Sequence, residues 1–128
     1  MMNRQRRPED NRHISEVVAN LGVLLEHKES IAYVVGMPSE ESVQTWLDAD
    51  SVPDDSLMEK KLRVAEKLAT VVRDESRPWV SRSWLIGCNP WLSEYSPAEM
   101  IGLLRGEPTD ADTIRSLSDA AEAFAQIR

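Results

Sequence analysis

Residues 56–74, SLMEKKLRVAEKLATVVRD, contain the longest helical pattern in the chain and decide its fold. Ser56 and Glu59 have the spacing of a capping box, which predicts a helix over about residues 57–74. The stretch carries two neighbouring apolar stripes at helical spacing, formed by Met58, Leu62, Ala65, Ala69 and Val72 and by Val64, Leu68 and Val71. A face this wide must be covered on two sides. We therefore predict that this helix is the spine between the two halves of the chain, or that its second side serves a dimer.

Six further segments show helical periodicity or helix-capping residues. In the front half they are expected at about 14–25, 29–35 and 40–47, with Asn11 capping the first, Gly36 ending the second and Ser39 capping the third. In the back half they are expected at about 78–86, opened by Pro78 and ended by Gly87, and at about 97–105, opened by a capping box of Ser96 and Glu99 and ended by Gly106. The last is expected at about 110–126, capped by Thr109. No segment alternates between apolar and polar residues as a half-buried strand does. The predicted fold is therefore all-α, with about seven helices.

Composition excludes several classes of protein. A chain of 128 residues is too short for a barrel enzyme or a doubly wound cofactor fold. Its single cysteine excludes an internal disulfide and a cysteine-based zinc cluster, and favours the reducing cytoplasm. His13 and His27 stand far apart with no third ligand, so we expect no metal. With no catalytic constellation, no phosphate-binding loop and no apolar run of about 20 residues, we expect neither an enzyme, nor a cofactor, nor a membrane protein.

The net charge of −7 is unevenly distributed along the chain. Residues 1–12 carry four arginines and two acids, whereas residues 13–76 carry six bases and 13 acids. An acid excess disfavours broad nucleic-acid binding, because phosphate contacts need clustered Lys and Arg. Any DNA contact is therefore expected to depend on the tail, through Arg4, Arg6 and Arg7, unless that tail is simply solvated.

The second and third predicted helices have the layout of a helix-turn-helix. Ala32 is small enough for a close helix crossing, Gly36 suits the turn, and Trp46 supplies an apolar anchor. An ordinary α-hairpin in a bundle remains the alternative. In a helix-turn-helix the exposed residues of the third helix would reach bases and phosphates, and here they include Ser42, Gln44 and Thr45.

Four tryptophans and the one cysteine invite separate interpretations. Trp46, Trp79 and Trp84 are expected in the core of so small a domain. Trp91 follows a proline in a predicted loop and is the best candidate for a surface anchor. Cys88 has no histidine near it in sequence, so we expect a small buried hydrophobe rather than a nucleophile.

The back half carries an ordered set of short motifs: Trp84-Leu85, Asn89-Pro90, Leu92, and Pro97 with Glu99. Their order and spacing resemble the C-terminal toxin-binding domain of the Xre/MbcA/ParS-type antitoxins. The front half is similar to the Xre-like helix-turn-helix of that family, which ends in a tryptophan and precedes a long helix. The resemblance covers about residues 14–124. The sequence departs from the family pattern at two places. Its third predicted helix has no arginines, and residues 120–128 lack a tyrosine-glycine ending.

The resemblance implies three parts: a basic tail at 1–12, an Xre-like helix-turn-helix domain at 13–75 and a toxin-binding domain at 76–128. It implies an antitoxin that neutralises an NAD-degrading RES-domain toxin by shielding the entrance to its active site, and that represses its own promoter. The toxin would be bound through Asn89, Trp91, Glu99, Gln126 and Arg128, in a homodimer or a toxin–antitoxin hetero-oligomer. The alternatives are a stand-alone DNA-binding regulator of the phage-repressor kind and a helical adaptor with neither partner.

Overall fold

A computed structural model describes residues 13–36, 40–47, 56–89 and 92–127, within which seven α-helices and no strand occur. The all-α prediction is confirmed for these residues. The helices are α1 (Ile14–Leu25), α2 (Lys28–Val34), α3 (Glu40–Leu47), α4 (Ser56–Val72), α5 (Val80–Ile86), α6 (Pro97–Gly102) and α7 (Asp110–Ile127).

Helix α4 lies at the centre of the described structure. It packs on α1 on the side of the front half, and on α5, α6 and α7 on the side of the back half. Its buried positions include Leu62, Ala65, Leu68, Ala69 and Val72, which are those of the predicted apolar face. The wide face is thus covered by two groups of helices within one chain.

Helices α1, α2 and α3 pack on one another at the front of α4. The apolar stripe of α1 is wholly buried, and Trp46 of α3 joins the same core. Gly36 follows α2 with a φ of 72°, a left-handed conformation that glycine adopts without steric cost. Helices α2 and α5 also touch, as do α2 and α6, so buried side chains of 13–75 and 76–128 form one continuous core. The domain boundaries themselves stay predictions.

Several predicted helix ends are wrong by a few residues. The cap of α1 is His13 rather than Asn11, because the His13 ring nitrogen Nδ1 accepts the backbone N–H of Ser15 at 3.2 Å. Ser56 is the first helical residue of α4, not its cap. The expected cap of α3, Ser39, lies outside the described residues.

Helix α4 stops at Val72 instead of Asp74 for a local chemical reason. The Asp74 carboxylate accepts the backbone N–H of Ser76 at 3.0 Å and the Nη2 of Arg77 at 2.8 Å. A side chain that binds the backbone just ahead of it competes with helix propagation and favours a turn. The Ser76 hydroxyl, which donates to the same carboxylate at 2.8 Å, lowers the pKa of Asp74 the most, and together with the other two bonds it brings that pKa to about 2.

Each helix that covers α4 on its flanks is joined to it by a polar bond as well as by apolar packing. Helix α1 donates from Asn20 Nδ2 to Glu66 Oε2 at 2.6 Å, and α5 donates from Ser81 Oγ to the Ala69 carbonyl at 2.8 Å. In the other two bonds α4 is the donor. Lys61 Nζ donates to the Gly102 carbonyl of α6 at 3.1 Å, and Lys60 Nζ donates to Asp110 Oδ2 of α7 at 3.0 Å. Apolar burial is non-directional, whereas a hydrogen bond requires a defined distance and angle. These bonds therefore define the position of each helix along the axis of α4.

Asp110, at the start of α7, accepts several hydrogen bonds in addition to the one from α4. The residue is 4% exposed, and besides its bond to Lys60 its carboxylate accepts the backbone N–H groups of Arg105, Gly106 and Glu107 at 3.1, 2.8 and 3.3 Å. These bonds explain why Gly106, predicted to end α6, instead lies in the loop after it, with a φ of 77°. The N–H of Arg105, the salt bridge to Lys60 and the other bonds outweigh desolvation and lower the pKa of Asp110 to about 2.

We predict that Asp110→Asn lowers the thermal midpoint of unfolding by several degrees. The amide cannot pair with Lys60, and its oxygen cannot satisfy all three backbone N–H groups of the loop. Thermal unfolding followed by circular dichroism at pH 7 measures the effect. Asp112→Asn is the matched control, since Asp112 is exposed in the same helical turn. An equal loss in both variants would assign the effect to the helix dipole and contradict this role for Asp110.

The lowered pKa predicts a pH dependence with a definite sign. A carboxylate whose pKa falls from 3.8 to about 2 on folding stabilises the fold above pH 3.8 and loses that contribution as pH falls towards 2. The difference in unfolding midpoint between the unmodified chain and Asp110→Asn should therefore shrink between pH 4 and pH 2. Urea unfolding across that range tests it. A difference that stays constant with pH would show that the charge of Asp110 does not contribute.

Candidate functional site

Asn89, the first residue of the Asn89-Pro90 motif, lies in the connection between α5 and α6. The backbone N–H of Asn89 donates to the Tyr95 carbonyl at 3.1 Å, and the Asn89 carbonyl accepts the N–H groups of Leu92 and Glu94, both at 2.9 Å. Ser93 and Glu94 both have positive φ, 56° and 68°, as the reversal of the chain requires. Asn89 is buried, and its backbone N–H and carbonyl close the loop.

The second half of the motif caps α6 as predicted. The Ser96 hydroxyl accepts the backbone N–H of Glu99 at 3.0 Å, and the Glu99 carboxylate accepts that of Ser96 at 2.8 Å, with Pro97 opening the helix. Glu99 is exposed, but its side chain is held in this reciprocal pair. A partner that bound Glu99 would therefore meet a carboxylate of fixed position.

The tryptophans do not all lie in the core. Trp46 and Trp84 are buried as expected, and the Trp84 ring is tilted by 48° against Phe124 with a centroid distance of 6.3 Å. The prediction for Trp79 is wrong, because this residue is 50% exposed. It is the cap of α5, whose seven residues bury one face through Val80, Trp84 and Leu85 and leave the preceding indole outside.

A cavity of about 460 Å³ lies between α5 and the end of α7. Aromatic and aliphatic side chains form most of its wall, and the described residues that line it are Trp79, Val80, Ser83, Trp84, Gly87, Cys88, Asn89, Phe124 and Ile127. Trp79 is half exposed and Ile127 is 74% exposed. We call the cavity and these two side chains the α5/α7 surface.

Cys88 is exposed and lines this cavity, so the prediction of a buried cysteine is wrong. Gly87 ends α5 with extended backbone, and the following side chains then alternate in direction. Asn89 takes the buried position and Cys88 the exposed one.

The other predicted site residues are dispersed. Gln126 is exposed on α7, but it lies two residues from Phe124 and hence on a different face of the helix. Gln44 and Thr45 are exposed on α3, which also contains Ser42. The predicted residues Arg4, Arg6, Arg7, Trp91 and Arg128 lie outside the described residues. Only Asn89 among the described toxin-binding candidates lines the α5/α7 surface.

Sequence reasoning missed Trp79 and Ile127 as surface residues. The stripe Ile114, Leu117, Ala121 and Phe124 was expected to face the core, and Ile127 continues that spacing by one more step. Ile127 could have been identified as a surface residue from this signal, because it extends the apolar stripe beyond the last turn that packing requires.

We predict that Glu99→Ala destabilises the protein by about 0.5 to 1 kcal/mol, because the Ser96 N–H loses its acceptor. Glu99→Gln should retain most of the stability, since glutamine completes a capping box. Urea unfolding of both variants gives the comparison. Equal losses in the two variants would mean that the charge of Glu99, rather than its bond to Ser96, is what stabilises α6.

The residues that the structure describes show neither a metal-binding cluster nor a membrane-spanning helix. No group of three or more His, Cys, Asp or Glu side chains is placed to hold a metal ion, and none of the helices is both long and apolar enough to cross a bilayer. Comparison of the chain with protein-family models, curated proteins and solved structures gives no match.

Proposed function

We propose that this protein is the antitoxin of a toxin–antitoxin pair and neutralises an NAD-degrading RES-domain toxin through its back half. The observation that carries the proposal is the α5/α7 surface, where Trp79 and Ile127 are exposed around an apolar cavity. This surface belongs to the part of the chain, residues 76–128, whose motifs resemble a toxin-binding domain.

The chemistry of this surface supports contact with another protein. A half-exposed tryptophan buries a large area with little loss of conformational freedom, and tryptophan is enriched among the residues that dominate binding energy. Concave apolar surface on a small protein commonly marks an interaction site. Three of the motif residues are buried, namely Trp84, Leu85 and Leu92. In this proposal they support the side chains of the surface and do not themselves bind the toxin.

In this proposal the antitoxin acts by occupying space. Its back half would cover the entrance to the toxin's active site in the cytoplasm, and no bond would be made or broken. The complex would be a toxin–antitoxin hetero-oligomer, and the alternative assembly is an antitoxin homodimer.

We predict that, where a neighbouring gene encodes a RES-domain toxin, Trp79→Ser weakens binding to that toxin at least tenfold, because it removes the anchor of the interface. Tyr33→Ser is the matched control, since Tyr33 is a 56% exposed aromatic residue in the front half. Co-purification and titration calorimetry measure binding, and co-expression measures relief of toxicity. An antitoxin that neither relieves toxicity nor co-purifies would exclude the proposal, and equal weakening by both variants would place the interface elsewhere.

A second candidate function is binding to promoter DNA. The protein would then act as a stand-alone regulator, or as an antitoxin that also represses its own operon. The observation that favours it is the exposure of Gln44 and Thr45 on α3, a helix that packs on α2 and is anchored by the buried Trp46. Glutamine can pair with adenine in the major groove, and threonine can reach phosphate. Because the front half is acidic, Arg4, Arg6 and Arg7 would have to supply the phosphate contacts.

We predict a shift of upstream promoter DNA that weakens with added salt and is lost on removal of residues 1–12, because the arginines release counterions from the duplex. Gln44→Ala should reduce the preference for the promoter over unrelated DNA without changing the salt dependence. Electrophoretic mobility shifts at several salt concentrations make the measurement. No shift at low salt would exclude this function while leaving toxin binding untouched.

A further inference from the structure

The connection between α5 and α6 reverses at a turn whose two central residues are unfavourable for it. The N–H of Tyr95 donates to the Leu92 carbonyl at 3.1 Å, and the residues between them, Ser93 and Glu94, have φ of 56° and 68°. A four-residue turn with positive φ at both central positions strongly prefers asparagine, aspartate or glycine there, because other L residues clash in the left-handed region. Serine and glutamate therefore destabilise this turn relative to Asn-Gly.

No contact inside the chain explains why glutamate occupies the second of these positions. Its carboxylate has no hydrogen bond or ion pair with the residues that the structure describes, and Ser93, Glu94 and Tyr95 are all exposed. Tyr95 is 51% exposed. Strained backbone that persists at the expense of stability is characteristic of functional sites. The strained turn presents a free carboxylate next to a half-exposed aromatic ring.

The turn is held firmly and is attached to the α5/α7 surface. The Asn89 carbonyl accepts the N–H groups of Leu92 and Glu94, both at 2.9 Å, and the Asn89 N–H donates to the Tyr95 carbonyl. Leu92 and Ser96, on either side of the exposed residues, are buried. Asn89 itself lines the cavity of the α5/α7 surface, so a partner on that surface has the turn at its edge. A preorganised loop loses little conformational freedom on binding.

We propose that residues 93–95, which we call the turn tip, form a second contact of the toxin interface, where Glu94 pairs with a lysine or arginine of the toxin and Tyr95 packs beside it. This inference rests on the proposed function and adds the chemistry of the partner's surface. A carboxylate forms a charge-assisted hydrogen bond with a basic group, and the face of an aromatic ring attracts the same cation. The α5/α7 surface supplies apolar contact without charge, whereas the turn tip selects a toxin surface that carries a cation.

A stability measurement tests the strain without any partner. The double substitution Ser93→Asn with Glu94→Gly should raise the thermal midpoint of unfolding by at least about 2 °C, since both new residues tolerate positive φ. Glu107→Gly is the matched control, because Glu107 is an exposed glutamate between α6 and α7 without positive φ, and this change should not raise the midpoint. Circular dichroism at pH 7 measures both. A double variant no more stable than the unmodified chain would overturn the proposal.

Binding to the toxin tests the charge of the turn tip. Where a neighbouring gene encodes a RES-domain toxin, calorimetric titration should show that Glu94→Gln weakens binding about three- to tenfold. Glu94→Lys should weaken it further, because a toxin cation then meets another cation instead of a neutral amide. Glu107→Gln and Glu107→Lys are the matched controls and should change the affinity less than about twofold. If Glu94→Lys binds as tightly as Glu94→Gln, no basic group faces this position and the proposal fails.

The stabilised variant separates binding from folding. Ser93→Asn with Glu94→Gly should bind the toxin more weakly although it unfolds at a higher temperature, so the loss cannot come from unfolding. Tyr95→Ser should also weaken binding, whereas Tyr33→Ser, which changes an equally exposed ring of the front half, should not. Unchanged affinity in all turn-tip variants would overturn this inference and leave toxin binding through the α5/α7 surface intact. An unmodified chain that does not bind the toxin would overturn both.

Discussion

Helix α4 cannot be stable with only one side covered, and the rest of the structure follows from that constraint. Its apolar residues occupy so much of its circumference that α1 alone leaves part of them in water, so α5, α6 and α7 cover the remainder. Apolar burial provides the driving force without defining a register. The register comes from polar bonds at the flanks of the helix, such as Ser81 to the Ala69 carbonyl and Lys60 to Asp110.

The same constraint accounts for the α5/α7 surface. Helices α5 and α6 are seven and six residues long, and each buries one short face against its neighbours. The loop closed by Asn89 and the capping box of α6 fix the chain between them. Helix α7 is 18 residues long, and Ile127 at its end and Trp79 at the start of α5 are exposed beside a cavity. The back half therefore carries an exposed apolar surface beside this cavity.

The charge distribution separates the two candidate partners. Acids dominate the front half, and the tail supplies the basic residues that DNA needs. The α5/α7 surface is apolar and holds no charged residue among its described lining, so salt should affect it little. Binding of a partner protein there and binding of DNA at the front would therefore respond differently to ionic strength.

Periodicity along the chain determined the fold class, the seven helices and most buried positions, because the helical repeat of apolar residues is a local property of sequence. It also determined the capping box of Ser96 and Glu99, whose partners are three residues apart. Tertiary structure alone decided that Trp84 is buried while Trp79 is not, since both are apolar and the start of α5 sets which one faces α7. It also decided the role of Asp110, because Lys60 lies 50 residues away and no local pattern connects them.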